Sequence, residues 1–371
     1  MKRGQVLLLA AILALGLCLG TLKKASSLGS PDFKVFYTAA RHVFTDPENI
    51  YRVSPDRYLY PPSTAVLLTP FGFSENYLAH QWAWHGLLGA MLFALAGVSG
   101  AAFFAMAVLA RYLAISFSYG QVNLVIIGLL ALCGWLGRRG RWGGAGAVWA
   151  LAACVKVYPL VFGLIFTARN RWRGLMVAAL VGFVFLALPL VVFGGELGFS
   201  LYRDFFAALA DKGLPLHSHN QSVSAFLLRV FTNQEFYLHA VGPARFGLLD
   251  LDPALVRFTA LFLGVLVVTA TWLRAWGRGL DPDTALSAGA FLVLFLSHIV
   301  WKDYMLFLYF PLKELFARLS RKQALLLGGA FVAVVTVGSP DLVGHPVSTR
   351  LDAGCIHLWA AALVWAVWWR K

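Results

Sequence analysis

Four small groups of polar residues stand out in a chain that is otherwise nearly free of them, and their types limit the chemistry they can do. Asp32, in Ser30-Pro31-Asp32-Phe33, is a carboxylate at the start of an apolar-periodic run. A residue of this type at this place caps a helix, and a capping residue can also be a functional carboxylate. His217-Ser218-His219-Asn220-Gln221-Ser222, following Asp211-Lys212, offers imidazole and amide donors to a phosphate or a sugar. The same run reads as a solvated turn that caps a helix at 223–231, and Asn220-Gln221-Ser222 also matches an N-glycosylation sequon, a frequent chance match. Two histidines one residue apart are a weak metal signal without partners, and no metal is invoked. In Ser297-His298-Ile299-Val300-Trp301-Lys302-Asp303-Tyr304, Lys302 either neutralises an anion held at a membrane surface or snorkels there, paired to Asp303. Lys156 lies deep in an apolar stretch, where a charge calls for a buried partner or an external anion such as a lipid phosphate.

The elements that carry these residues must be membrane helices. The 371 residues are 60% hydrophobic, 15% aromatic and only 13% charged, and the mean hydropathy is +0.72. Such a chain cannot cover a water-soluble globule of its size. The net charge of +14 contains no basic run long enough for a phosphate track, so nucleic acid is excluded as a partner. The motifs GxxxxGK[ST], HExxH and GxSxG are absent, as is a strand-helix GxGxxG unit. Cys18, Cys133, Cys154 and Cys355 are far apart in apolar stretches, which implies neither disulfides nor a zinc site.

Apolar stretches run near 4–22, 77–98, 100–117, 119–137, 143–168, 174–194, 254–276, 284–301, 304–317, 324–339 and 355–369. The first follows Met1-Lys2-Arg3 and reads as a retained span, because Ala25-Ser26-Ser27 is a poor cleavage site. The clusters Arg138-Arg139-Gly140-Arg141, Arg169-Asn170-Arg171-Trp172-Arg173, Arg274 with Arg278, Arg318 with Arg321-Lys322, and Arg370-Lys371 belong on the cytoplasmic side. Counting alternately from a cytoplasmic N-terminus satisfies all of them if 143–168 enters and leaves on one side. Lys156-Val157-Tyr158-Pro159 at its middle favours a hairpin or a pair of short spans over one straight helix. The external loops are then 23–76 and 195–253. In the first, Phe33, Phe36, Tyr37 and Ala40 recur at helical spacing and predict a short amphipathic surface helix. The run from Tyr58-Leu59-Tyr60-Pro61-Pro62 to Phe73 is too short to span and reads as re-entrant or interfacial. Without repeats or a linker, residues 1–371 read as a single transmembrane domain.

Taken in order, these residues resemble glycosyltransferase family 87, polytopic enzymes of the GT-C class that include polyprenyl-phosphate-mannose-dependent mannosyltransferases. The resemblance rests on Asp32-Phe33, Tyr37-Thr38-Ala39-Ala40-Arg41, Tyr51, Tyr58-Leu59-Tyr60-Pro61-Pro62-Ser63-Thr64-Ala65 and Gly120-Gln121-Val122-Asn123. Lys156-Val157-Tyr158-Pro159, Asn220-Gln221-Ser222 and Trp301-Lys302 continue it, so that it spans about residues 28 to 316. It implies an all-α polytopic membrane protein, a GT-C-type bundle of about 11–12 transmembrane helices with extracytoplasmic surface helices. It further implies a bacterial inner (plasma) membrane location, cytoplasmic termini and an extracytoplasmic active site. There a hexose, by resemblance mannose, passes from a polyprenyl-phosphate donor to a lipid or glycan acceptor.

In that reading Asp32 matches the family's catalytic carboxylate and acts as general base in an inverting displacement. Lys302, His219, Lys156 and Arg41 bind the donor phosphate. Tyr58, Tyr60, Gln121, Asn123, Asn220, Gln221 and Trp301 bind sugar or acceptor. No cofactor is implied. Members of the mannosyltransferase branch tend to carry histidine after the tryptophan, where this chain has Lys302-Asp303-Tyr304, which leaves the sugar open among hexoses and pentoses. A transporter or lipid-linked sugar flippase is the alternative from another class, with buried midplane charges as its mark; a scaffold subunit would leave Asp32 dispensable.

Overall fold

The apolar stretches are helical, as they must be where no water is present to satisfy backbone N–H and C=O groups. The computed structural model describes residues 1–52, 58–167, 171–211, 213 and 215–371, with backbone alone at 23–25 and 28. Arg169, Asn170 and Lys212 lie outside the described residues. Among those described are seventeen α-helices and one small β-hairpin, the architecture of an all-α polytopic membrane protein. By length and composition Arg3–Leu22, Trp172–Phe193 and Pro253–Gly277 can each cross a bilayer, and two bent helix pairs raise the count to five. Leu180, Phe183 and Val191 are 62, 70 and 79% exposed along Trp172–Phe193, and only lipid makes such a surface tolerable. The stretch expected as one span at 100–117 is instead bent by 68° between Gly100–Val108 and Ala110–Tyr119.

The helices fall into two compact units, the first formed by residues 1–100 and 113–213. Here the described part of the stretch expected at 143–168, through residue 167, doubles back on itself. The helix Trp142–Val155 stops at Lys156, which is extended at φ −143 and ψ 145, and 3-10 turns Tyr158–Phe166 follow. Trp149 Nε1 donates to the Pro159 carbonyl at 2.8 Å, and the rings of Trp142 and Phe166 lie 6.2 Å apart. Pro159 cannot continue a helix, so the chain turns and leaves Lys156 at the bend. Gly146 faces the Gly174 carbonyl so closely that a Cβ would come within 1.9 Å of it, which lets Trp142–Val155 and Trp172–Phe193 pack backbone to backbone. The second external loop of the sequence reading contains a 17-residue helix, Gly195–Asp211, that buries Leu201 and Phe205. Leu201 and Phe205 recur at helical spacing on its buried face, while Phe199 and Phe206 face outward.

The second unit comprises residues 101–112 and 214–371. Pro282–Leu296 is its most buried helix, with all residues from Thr284 to Phe295 shielded. Glu314, 4% exposed, ties helices together: it accepts from Thr284 Oγ1 at 3.1 Å, Ser287 Oγ at 2.5 Å and Trp368 Nε1 at 2.9 Å. Arg278 and Arg318 approach it at 3.9 and 2.8 Å. Two of the arginine clusters assigned above to the cytoplasmic side therefore share one end of this unit. The helix expected at 223–231 is present as Val223–Phe231, capped by Ser222 Oγ, which accepts from the Ala225 N–H at 3.1 Å. A further helix, Pro340–Ala353, kinked where Gly344 takes φ 76, fills the interval between the last two apolar stretches.

Candidate active site

In the first unit the site is built around the helix Pro31–Thr45. Its apolar residues Phe33, Phe36, Ala39 and Ala40 are buried, with Phe33 stacked on Trp84 at 5.5 Å. The cap position is Ser30, in the left-handed region at φ 41, and not Asp32. Ser30 Oγ accepts from Gln81 Nε2 at 2.7 Å, so it is tied to a neighbouring helix rather than to its own N–H groups. Asp32 lies in the first turn, half-buried, where the helix dipole favours a negative charge. Its Oδ2 accepts from Gln121 Nε2 at 2.7 Å.

Gly120 makes that pairing possible. It takes φ 69, and a Cβ there would lie 2.6 Å from Phe33 Cβ, so only glycine lets the turn approach the helix this closely. Trp84 Nε1 holds the Gly120 carbonyl at 2.9 Å, and Gln121 is delivered to Asp32.

Lys156, at the bend of the hairpin, donates to Asn123 Oδ1 at 3.1 Å. The same oxygen accepts from Tyr158 at 2.6 Å. The ammonium lies 5.3 Å from the Tyr60 ring and 5.4 Å from the Tyr158 ring, a cradle that favours a cation. Tyr58 is buried, with its hydroxyl on the Pro61 carbonyl at 3.2 Å, and the Tyr51 hydroxyl donates to the Tyr60 carbonyl at 2.7 Å. Arg41 pairs with Glu75 at 3.1 Å, and Glu75 is 90% exposed. Nine residues beyond Asp32 on the helix, Arg41 lies roughly 14 Å further along the axis.

In the second unit a different arrangement surrounds Lys302. Its ammonium is 2.5 Å from Asp352 Oδ2, so its partner is Asp352 and not Asp303. Asp352 is 1% exposed. Its Oδ1 faces His357 Nε2 at 3.2 Å, and His357 Nδ1 faces the Tyr112 hydroxyl at 2.7 Å. His219 Nε2 approaches Asp352 Oδ2 at 3.8 Å. Burial, then the Lys302 ammonium, push the His219 imidazole down to about 3 against the opposing pull of Asp352. His219 is therefore neutral at pH 7 and offers an N–H, not a charge.

Asn220 and Gln221 are both fully buried. Asn220 donates to the Pro215 and His298 carbonyls at 3.2 and 3.1 Å and accepts from the N–H groups of Val300 and Ser222 at 3.0 and 3.1 Å. Gln221 Nε2 donates to the carbonyls of Ser218 at 3.0 Å and Asp352 at 2.8 Å. These amides stitch the 215–222 loop to its surroundings. The Trp301 ring stands 6.5 Å from that of His217.

Asp352, His357, Tyr112 and Arg229 escape the sequence reading. Arg229 is fully buried and donates to the carbonyls of His217, Asn220 and Ala353 at 2.9 to 3.0 Å. A signal for the first two existed: an acid and a histidine at the edge of an apolar stretch, in a chain with only 17 acidic residues, are functional candidates by default.

A family model, that of glycosyltransferase family 87, matches residues 58–300. Within that range lie Tyr58, Tyr60, Gln121, Asn123, Lys156, His219, Asn220 and Gln221, while Asp32, Arg41, Trp301 and Lys302 fall outside it. The chain is also similar to a curated protein of Mycolicibacterium smegmatis, the polyprenol-phosphate-mannose-dependent alpha-(1-2)-phosphatidylinositol pentamannoside mannosyltransferase. The two are 28% identical over 253 residues, covering 64% of this chain and 54% of that protein, so the chain spans about half the length of this relative. No solved structure matches the chain. With helices suited to a bilayer and a family match over more than half its length, the chain belongs to glycosyltransferase family 87.

Proposed function

We propose that the protein is a membrane glycosyltransferase that moves a hexose, mannose by analogy with its relative, from a polyprenyl phosphate to an acceptor hydroxyl. Transfer takes place on the extracytoplasmic face of the bacterial inner membrane, with both termini in the cytoplasm, and a lipid or glycan supplies the hydroxyl. All of residues 1–371 serve as one transmembrane catalytic domain. The observation that carries the reading is Asp32, a half-buried carboxylate at a helix N-terminus, oriented by Gln121 in a chain of this family.

Asp32 takes the proton of the acceptor hydroxyl as that oxygen forms its bond to the anomeric carbon. The bond from that carbon to the phosphate oxygen breaks on the opposite face, its electron pair leaves with the phosphate, and the configuration inverts. The leaving group is already an anion, so one carboxylate suffices and positive charge does the rest. In the first unit Lys156 supplies that charge, with Arg41 as an outer cation; Lys302 and His219, in the second unit, keep the phosphate-binding role that the family resemblance gives them, His219 as an N–H donor. Tyr60 and Gln121 contact the sugar or acceptor, the buried Asn123 positions Lys156 and Tyr158, and Tyr58, Trp301, Asn220 and Gln221 support the walls.

Purified protein supplied with radiolabelled polyprenyl-phosphate sugars identifies the donor by which label reaches an acceptor. Asp32→Asn and Asp32→Ala should lose transfer while remaining folded in detergent. Transfer near the wild-type rate by purified D32A removes Asp32 as the base.

A further inference from the structure

The histidines His217 and His219 lack a metal partner in sequence, but the fold supplies one. The hairpin Phe236–Leu238 and Gly242–Ala244 brings His239 beside them, and one ring nitrogen from each of the three lies within 4.8 Å of the others. The backbone holding them is fixed. The Ser218 N–H donates to the Tyr237 carbonyl at 2.9 Å and the Tyr237 N–H to the Leu216 carbonyl at 3.0 Å. The His239 N–H donates to Ser218 Oγ at 3.2 Å. Three imidazoles on two segments locked together in this way resemble a ligand set more than a chance stack.

We propose that His217, His219 and His239 form a binding site for a transition-metal dication, with zinc the best match; with the ion bound, His219 serves as a ligand in addition to the donor-side role proposed above. An all-imidazole set suits zinc, copper or nickel and not the hard ions magnesium and calcium. Three histidines leave a fourth tetrahedral position for water or the oxygen of an anion. With metal–nitrogen bonds of about 2.0–2.1 Å the three nitrogens close to roughly 3.3 Å of one another. The shift needed is of the order of 1 Å, and His239, whose side chain is exposed, is free to make it.

Asp352, 3.8 Å from His219 Nε2, stands where an outer carboxylate steadies a metal-bound histidine. It also pairs with Lys302, one of two cations near the cluster; the other, Arg229, donates to the His217 carbonyl at 2.9 Å. Metal entry at His217 Nδ1 exchanges one neutral hydrogen bond, the 3.1 Å contact from the His219 N–H. The ion would then clip the hairpin to the 215–222 loop.

The test uses the full chain, purified in detergent with a tag that contains no histidine, stripped with a chelator and then titrated with zinc or cobalt. Wild type should retain about one equivalent of zinc after gel filtration, and cobalt should give the intense visible bands of a tetrahedral site. His239→Gln, exposed and close in size, and His217→Ala/His239→Ala should weaken binding at least tenfold, with thermal unfolding of the stripped proteins used to confirm that each variant is folded. The proposal is overturned if wild type retains no more zinc than the double variant. It is equally overturned if H239Q binds as wild type does, or if cobalt enters an octahedral site. None of these readouts depends on sugar transfer, so their failure leaves the assignment of Asp32 untouched.

Discussion

Asp32 and Asp352 each accept a short contact from a side-chain donor, but they differ in burial and in the type of that donor. Asp32 is half-buried at the start of a helix, and Gln121, a neutral amide, orients it. Asp352 is 1% exposed and holds a lysine ammonium at 2.5 Å and a buried imidazole at 3.2 Å. A half-buried carboxylate bonded to an amide can still be reached by a substrate hydroxyl. One that is sealed and opposed by an ammonium is committed to fixing its partners. In the proposed mechanism the first serves the chemistry, while the second holds Lys302 and, through its backbone carbonyl on Gln221, the His217–Ser222 loop.

The comparison breaks if activity and stability do not separate between the two. The largest effect is expected at Asp32→Asn, which should lower transfer by about 10²–10⁴-fold while changing stability in detergent by less than about 1 kcal/mol. Thermal unfolding beside a radiolabel assay measures both. Asp352→Ala should do the reverse first: it leaves the Lys302 ammonium buried without a counter-charge, a loss of about 3–5 kcal/mol. Lys302→Met/Asp352→Leu removes both charges and should recover most of it. If D352A unfolds at the wild-type temperature, Asp352 is not the clamp.

These two regions were also unequally legible. The Asp32 helix announced itself by Phe33, Phe36 and Ala40 at helical spacing, and Lys156 by its depth beside Pro159, because both signals are local. The helix Val223–Phe231 was legible for the same reason, through Ser222. The bond between Asp32 and Gln121 joins residues 89 apart, and only the close approach at Gly120 makes it; nothing in the spacing of a lone glycine reports its neighbour. The partner of Lys302 stayed hidden because Asp303 was next in sequence, while the true partner lies 50 residues on, in a kinked helix between two apolar stretches. His239 was invisible as a partner of His217 for a similar reason, since a three-residue strand pairing sets their distance.

Gly120→Ala sharpens the comparison at a smaller scale. A side chain at φ 69 and 2.6 Å from Phe33 Cβ should cost about 1–3 kcal/mol. By moving Gln121 it should also lower transfer more than an equally destabilising change in the second unit does. Equal losses in both would mean that Gln121 does not orient Asp32.

The smallest effect is expected at Arg41→Ala, and it decides whether Arg41 belongs with the donor cations at all. Its partner Glu75 is 90% exposed, and such a pair contributes about 0–1 kcal/mol, screened further by salt. As a surface pair alone, Arg41→Ala should leave transfer unchanged and lower stability only slightly, with the difference vanishing in high salt. Lys156→Met serves as the contrast, since its ammonium is cradled by Tyr60 and Tyr158 and bonded to Asn123. It should raise the KM for the donor about tenfold or more, a shift of about 1.4 kcal/mol. A comparable rise in R41A would show that its guanidinium leaves Glu75 for the donor phosphate, and would extend the cationic part of the site along the helix by about nine residues, or roughly 14 Å.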